Sequence, residues 1–244
     1  MVDVINIRMN SSLSDRIIDS KLINNPWPHK IIDNFFDDAT FHKLQHECSL
    51  LMGKLGTNDI KKDAINLHTL VGVSDTFTDP ILAANKNILC NIDKILNSFP
   101  YSRTYSEYFS IPSFYFLRKA SGEFPIHDEA LEKVLSIVVY IYPTVSAGTN
   151  IYKTPNEYSH TVNWVPNRAL IFCGEQNKTW HNFGAKDEDR ITLNFFIRSN
   201  YINTLIESDT EYTIKMPDDR IITFPKNAET LVFKQMYDQG YLTP

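Results

Sequence analysis

The sequence predicts an α+β fold: a jelly-roll-like antiparallel β core with supporting helices on its N-terminal side. Three observations carry this. From Pro112 onward the chain breaks into short β-branched and aromatic segments, "SFYFLRK", "VLSIVVYIY", "NIYK", "HTVNWV", "RALIFCG" and "RITLNFFIR", divided by turn signals such as "KASGEFP", "SAGTN" and "PN". Strands spaced this closely read as an antiparallel sandwich or barrel rather than a βαβ array. Before Pro112, two stretches carry apolar residues at helical spacing, and these are the candidate supporting layer. An aromatic content of 12%, with 15 Phe and 12 Tyr, also favours a β-rich core.

Taken in order, "NPWPHKIIDNFF" combines turn prolines with a short apolar strand, "HKIIDNFF". "DDATFHKLQHECSLLMGKL" spaces Phe41, Leu44, Cys48 and Leu51 along one helical face, with Asp37 or Asp38 placed to cap it. "DPILAANKNILCNIDKILNSF" predicts a second helix whose stripe is Ile81, Leu82, Ile88, Leu89, Ile92, Ile95 and Leu96. The strand-like segments follow. After Arg198, "EYTIKM" and "RIITF" flank a "PDD" turn, and "NAETLVFKQMYDQGYL" predicts a short amphipathic helix. The expectation is a single domain over 1–244, made of a strand and helices in 1–110, a core in 111–200, and a hairpin with a short helix in 201–244.

Composition excludes several classes. The net charge of −5 lacks the basic excess of proteins that grip phosphate backbones, so a nucleic-acid partner is not expected. Cys48, Cys90 and Cys173 are odd in number and widely spaced, which indicates no disulfide framework or thiolate cluster; they are expected to be small buried hydrophobes. The first residues match neither a signal peptide nor a transit sequence, and no apolar run approaches the roughly 20 residues of a membrane span. A soluble, cytoplasmic protein with no membrane partner is the expectation.

The chemistry gathers in "FPIHDEALEK". At an extended strand end, residues i and i+2 point to one face, so His127 and Glu129 aim together while Asp128 turns away. A third ligand is supplied by His181 in "TWHNF", between two predicted strands and 54 positions after His127. Two imidazoles and one carboxylate with open positions suit non-haem Fe(II) and oxygen activation. Arg190 follows His181 by nine positions and opens the next strand. A guanidinium inside an apolar core needs an anion, and a bidentate carboxylate suits it.

These residues resemble the Fe(II)/2-oxoglutarate-dependent dioxygenases, specifically their prolyl-hydroxylase-like branch. The pattern of His-x-carboxylate, distal His and a following basic residue is met by "HDE", "WH" and "DRITL"; upstream, "PWPHKIIDNFFDDATFHKLQHE" is similar to the strand and helix that precede this core. The resemblance extends in outline from about Pro26 to Arg198. It implies a double-stranded β-helix, with Fe(II) held by His127, Glu129 and His181. It also implies 2-oxoglutarate as co-substrate with O2, its distal carboxylate on Arg190, and Tyr140 and Thr192 as secondary contacts. Glu129 stands where the family more commonly has Asp, which leaves Asp128 as a shifted alternative; the two-residue period favours Glu129. The implied activity is hydroxylation of a C–H bond in a protein or peptide side chain or a small molecule, with Val138 and Phe196 as apolar walls. The primary substrate is not legible.

Bland readings stand beside these. His-x-Glu alone is usually an exposed loop, and a lone His or strand Arg is usually structural or solvated. His42 and His46, at i and i+4, are expected to be helix-surface histidines because no third ligand accompanies them. His29 and His68 lack a carboxylate set, His160 is expected at a strand edge, and Asp187 to Asp189 form a solvated turn. A cupin-like metal enzyme without 2-oxoglutarate, and a non-catalytic jelly-roll binding module, are the alternatives.

Overall fold

A computed structural model describes residues 11–54, 62–66, 75–100, 108–110, 112–117, 125–129, 133–175, 177–183, 189–199, 204–207, 211–215 and 221–225. Its elements in order are α1 (Leu13–Asp19), β1 (Leu22–Ile23), β2 (His29–Ile32), α2 (Asp38–Lys54), β3 (Lys62–Asn66), α3 (Asp75–Cys90) and α4 (Ile92–Asn97). Then come β4 (Tyr108–Ser110), β5 (Ser113–Leu117), β6 (Lys133–Tyr142), β7 (Thr149–Thr154), β8 (Glu157–Val162), β9 (Ala169–Phe172), β10 (His181–Asn182) and β11 (Arg190–Ser199). The last are β12 (Thr204–Glu207), β13 (Glu211–Lys215) and β14 (Ile221–Pro225). The chain forms two compact units, one of residues 1–102 and 110–197, the other of 103–109 and 198–244. In the second, β12, β13 and β14 form an antiparallel meander; the helix expected within 227–242 lies outside the described residues.

In the first unit the larger sheet runs β1-β2-β9-β6-β11-β5-β3, and a smaller one runs β10-β7-β8. Period-two alternation sorts the side chains of the larger sheet. Ser136, Val138 and Tyr140 of β6 share a face with their β9 partners Phe172 and Leu170. Tyr140, Leu170 and Phe172 join Ile151 and Val162 of the smaller sheet, together with Trp27 and Trp164, in one buried apolar cluster that bridges the two sheets. The opposite face meets α2 and the loop before it: the Gln45 side chain on α2 donates to the Ile141 carbonyl, and Phe195 of β11 packs on Phe35 of the loop.

The helical layer follows from local chemistry. Asp37 begins α2 by accepting from the Thr40 amide at 2.9 Å. Phe41, Leu44 and Cys48 are buried as the spacing predicts, and His42 and His46 face solvent. The second predicted helix divides into α3 and α4 at Asn91. On α3, Ile81, Ala84 and Ile88 form the buried stripe, whereas Leu82 is 41% exposed because it stands one residue, about 100° of arc, off that face. Cys90 is also exposed at the end of the helix, unlike buried Cys48 and Cys173. The unexpected helix α1 starts at a capping box, with Ser12 accepting from the Asp15 amide and Asp15 accepting from the Ser12 amide. Buried Lys30 on β2 ties the layer together, donating to the Ile17 and Ile18 carbonyls at the end of α1 and to Ser98 Oγ after α4.

Candidate active site between the sheets

His127 and His181 come together by backbone pairing. Each donates its amide to the other's carbonyl, at 3.1 and 2.9 Å, forming an isolated antiparallel bridge. Their ring centroids stand 4.3 Å apart. In both rings Nδ1 lies against a backbone carbonyl two residues upstream, Pro125 at 3.0 Å and Thr179 at 2.7 Å. A carbonyl can only accept, so Nδ1 carries the proton and Nε2 the lone pair, the tautomer that suits a metal ligand. Burial and the neighbouring His181 push the His127 pKa down to about 4, against the pull of Glu129. Burial likewise lowers that of His181, so both imidazoles are neutral at pH 7.

Glu129 is buried, and its carboxylate is shared by two donors from the start of β6. Ser136 Oγ donates to Oε1 at 2.6 Å and Lys133 Nζ to Oε2 at 2.8 Å. Burial pushes the acid up, but the Lys133 charge, His181 and these hydrogen bonds outweigh it and hold the pKa at about 2. Gly174 allows the close approach of this segment, because a Cβ there would overlap the Lys133 carbonyl and press on Glu129 Cβ. Asp128 is engaged elsewhere, accepting from the Asn177 amide, as expected for the residue between two inward-facing neighbours.

Arg190 opens β11 and is 2% exposed. Its guanidinium carbon stands 4.3, 4.7 and 5.9 Å from the ring centres of Phe183, Trp164 and Tyr140. Its NH1 donates to the Ala147 carbonyl at 3.2 Å, and no carboxylate forms a salt bridge with it among the described residues. Burial lowers its pKa to about 10, which leaves it fully charged at neutral pH. Tyr140 stacks on Trp164 with centroids 4.5 Å apart and donates its hydroxyl to Thr149 Oγ1 at 2.8 Å. Thr192 is buried two positions after Arg190, on the same face of β11. Val138 packs against the bridging cluster, and the Phe196 ring lies 3.9 Å from Lys133 Nζ.

The donor types fit a borderline divalent metal: two neutral imidazoles that carry their lone pairs at Nε2, and one ionised carboxylate. Among the described residues no three His, Cys, Asp or Glu side chains are close enough together to hold an ion, and Glu129 spends its two oxygens on Lys133 and Ser136.

Sequence reasoning missed Lys133 and Ser136, the partners of Glu129, and Trp164 and Phe183, the rings around Arg190. Ser136 was within reach, since it keeps period-two parity with Val138 and Tyr140, and Lys133 stands four positions from Glu129. Nothing local marked Trp164 or Phe183.

No protein-family model matches the chain, and no curated protein matches it. Solved structures do. A prolyl hydroxylase from Trichoplax adhaerens, in complex with a hypoxia inducible factor oxygen degradation domain peptide fragment, superposes with a TM-score of 0.52 at 12% identity, over 77% of this chain and 89% of that one. A Pseudomonas putida prolyl-4-hydroxylase gives 0.50 at 12% identity, over 77% and 97%. A Phytophthora capsici prolyl 4-hydroxylase gives 0.50 at 14% identity, over 81% and 66%. In fold, this chain is therefore similar to the prolyl hydroxylases, the branch that its His-x-carboxylate, distal His and following Arg resemble.

Proposed function

We propose that this protein is an Fe(II)- and 2-oxoglutarate-dependent dioxygenase, an oxidoreductase that hydroxylates a C–H bond of a protein or peptide side chain or a small molecule. The observation that carries the reading is Arg190, a charged guanidinium buried among three aromatic rings with a carbonyl as its hydrogen-bond acceptor. A charge so placed calls for an anion brought from outside, and a flat carboxylate matches its fork. The two bridged sheets are read as a double-stranded β-helix, with 111–200 as the part that carries the chemistry.

In this reading His127, His181 and Glu129 would hold the metal, their imidazole Nε2 atoms and carboxylate supplying the donors. Iron with 2-oxoglutarate and O2 supplies the oxidising power, yielding succinate, CO2 and the hydroxylated product. The chain's own residues do the rest. Backbone carbonyls of Pro125 and Thr179 fix the imidazole tautomers. Arg190 anchors the distal carboxylate of the co-substrate, with Thr192 as a further donor beside it and the Tyr140 hydroxyl available once it turns from Thr149 Oγ1. Trp164, Phe183 and the Tyr140 ring keep water from that ion pair, which strengthens it. Val138, Leu170 and Phe172 form apolar walls.

Anaerobic addition of Fe(II) and 2-oxoglutarate tests the proposal. A weak visible charge-transfer band and succinate formation under oxygen are expected; folded protein giving neither would overturn it. Arg190→Ala should weaken 2-oxoglutarate binding roughly 10- to 100-fold, the span of a lost charged hydrogen-bond pair, while leaving metal binding unchanged. Unchanged 2-oxoglutarate affinity in that variant would favour a cupin-like enzyme that does without the co-substrate.

A further inference from the structure

Among the buried polar atoms of the described residues that have no hydrogen-bond partner, Nε2 of His29 stands close to the proposed chemistry and has no role in the dioxygenase reading. His29 on β2 is fully buried, with Nδ1 2.9 Å from the Trp27 carbonyl. As that carbonyl only accepts, Nδ1 is the donor and Nε2 carries the lone pair. Nε2 has no hydrogen-bond partner. Buried acceptors are rarely left unmade, so an atom of this kind calls for an explanation.

Its surroundings indicate the kind of group it would meet. The His29 ring stands 5.2 Å from Trp27 and 5.6 Å from His160 of β8, so it reaches from the larger sheet to the edge strand of the smaller one. Its cross-strand partner is Phe172, whose ring is 5.1 Å from Trp27 and 5.1 Å from His181. His29 therefore lies one aromatic ring away from a proposed metal ligand, and its neighbours are not those of Arg190. Among the described residues, the ring that His29 meets on the smaller sheet is the imidazole of His160. An acceptor set among aromatic and imidazole rings matches a neutral donor, which takes the lone pair without bringing a charge that would need its own counter-ion.

We infer that His29 Nε2 is the hydrogen-bond acceptor of the primary-substrate subsite, taking an uncharged N–H or O–H group while Trp27, His160 and Phe172 clasp the apolar body beside it. The inference rests on the dioxygenase reading, and it makes His29 the residue that determines which carbon faces the reacting centre. The substrate class is thus a neutral molecule or peptide segment with an amide or alcohol donor next to an apolar group.

The test uses the full chain with Zn(II) as a redox-inert metal and 2-oxoglutarate, followed by 15N-resolved imidazole spectra. The His29 Nε2 signal is assigned by its loss in His29→Phe, and by elimination in the other single-histidine variants should that one fail to fold. Pyrrolidin-2-one, which carries an N–H, should move the signal upfield, and N-methylpyrrolidin-2-one, which lacks it, should not. An unmoved signal, an equal shift with both probes, or a signal already at the hydrogen-bonded position before addition, as a buried water would give, each overturns the inference. Calorimetry on the same samples separates the two levels: absent Zn(II) and 2-oxoglutarate binding sinks the dioxygenase reading, whereas intact binding with a silent His29 sinks the subsite alone.

Discussion

Asn167 shows how much one side chain can hold. It is buried with φ 65°, in the left-handed region that Asn tolerates better than most residues. Its side-chain amide accepts from the Phe36 amide and donates to the Phe36 carbonyl, both at 2.9 Å, completing a strand-like pairing with a single residue. Its backbone meanwhile donates to the Tyr140 carbonyl and accepts from the Phe35 amide. Asn167 therefore fastens the loop after β2 to the strand that carries Tyr140. Asn167→Ala should cost about 2–4 kcal/mol, since two buried backbone groups lose their partners, and chemical denaturation measures it directly. The bidentate Asp33–Arg168 pair nearby is more exposed, and an exposed pair contributes little. Nothing in "PNRAL" distinguishes Asn167 from an ordinary turn asparagine; its partners at Phe35 and Phe36 lie 131 or more positions away.

Among the elements, the smaller sheet depends on how closely β7 and β8 approach. Gly148 stands just before β7, where a Cβ would overlap the Val162 carbonyl of β8. Across the same sheet a polar ladder binds the strands: Thr161 donates to Asn150 at 2.7 Å, and Asn150 and Tyr152 donate to Asn182 at 3.0 and 3.1 Å. Gly148→Ala should cost about 1–3 kcal/mol by overpacking and displace the Ala147 carbonyl that Arg190 uses. Paired measurements of thermal stability and 2-oxoglutarate affinity should therefore fall together, and a fall in stability alone would separate the loop from the anchor. Element by element, the sequence located β5, β6, β9 and β11 closely because each is a dense run of β-branched and aromatic residues. It ran β8 from His160 through Val165, whereas the strand is Glu157–Val162. Trp164 is drawn away because its indole donates to the Pro143 carbonyl and its ring stacks on Tyr140. The two-residue β10 offered no periodicity to read, and only the flanking strands betrayed His181.

For the molecule as a whole, two buried imidazoles and one half-buried imidazole govern the response to mild acid. His29, His127 and His181 all have pKa values below the ordinary histidine range, with burial as the first cause and His127 at about 4. The unfolded chain takes up these protons near pH 6.5 while the folded chain does not, so the unfolded state binds more protons and stability rises with pH. Stability of metal-free protein should be full above about pH 6.5 and decline progressively toward pH 4. Urea titrations at stepped pH would show this, and a flat profile between pH 7 and 4.5 would contradict it. Bound divalent metal should deepen the dependence, because the same imidazoles must be unprotonated to serve as ligands. No helix among the described residues is long and apolar enough to cross a membrane.

The sequence alone determined the β character of the core, the helical layer before it, and the order His127, Glu129, His181 and Arg190. All of these are local: period-two and helical patterns, a two-residue parity, and residue types whose chemistry is the same in any fold. Tertiary structure decided which partners those residues met. It set Lys133 and Ser136 on Glu129, ringed Arg190 with aromatics from three segments, and brought the His29 ring beside that of a histidine 131 positions downstream. The physical reason is that burial and long-range pairing depend on strand order and register, which no local stretch of chain encodes.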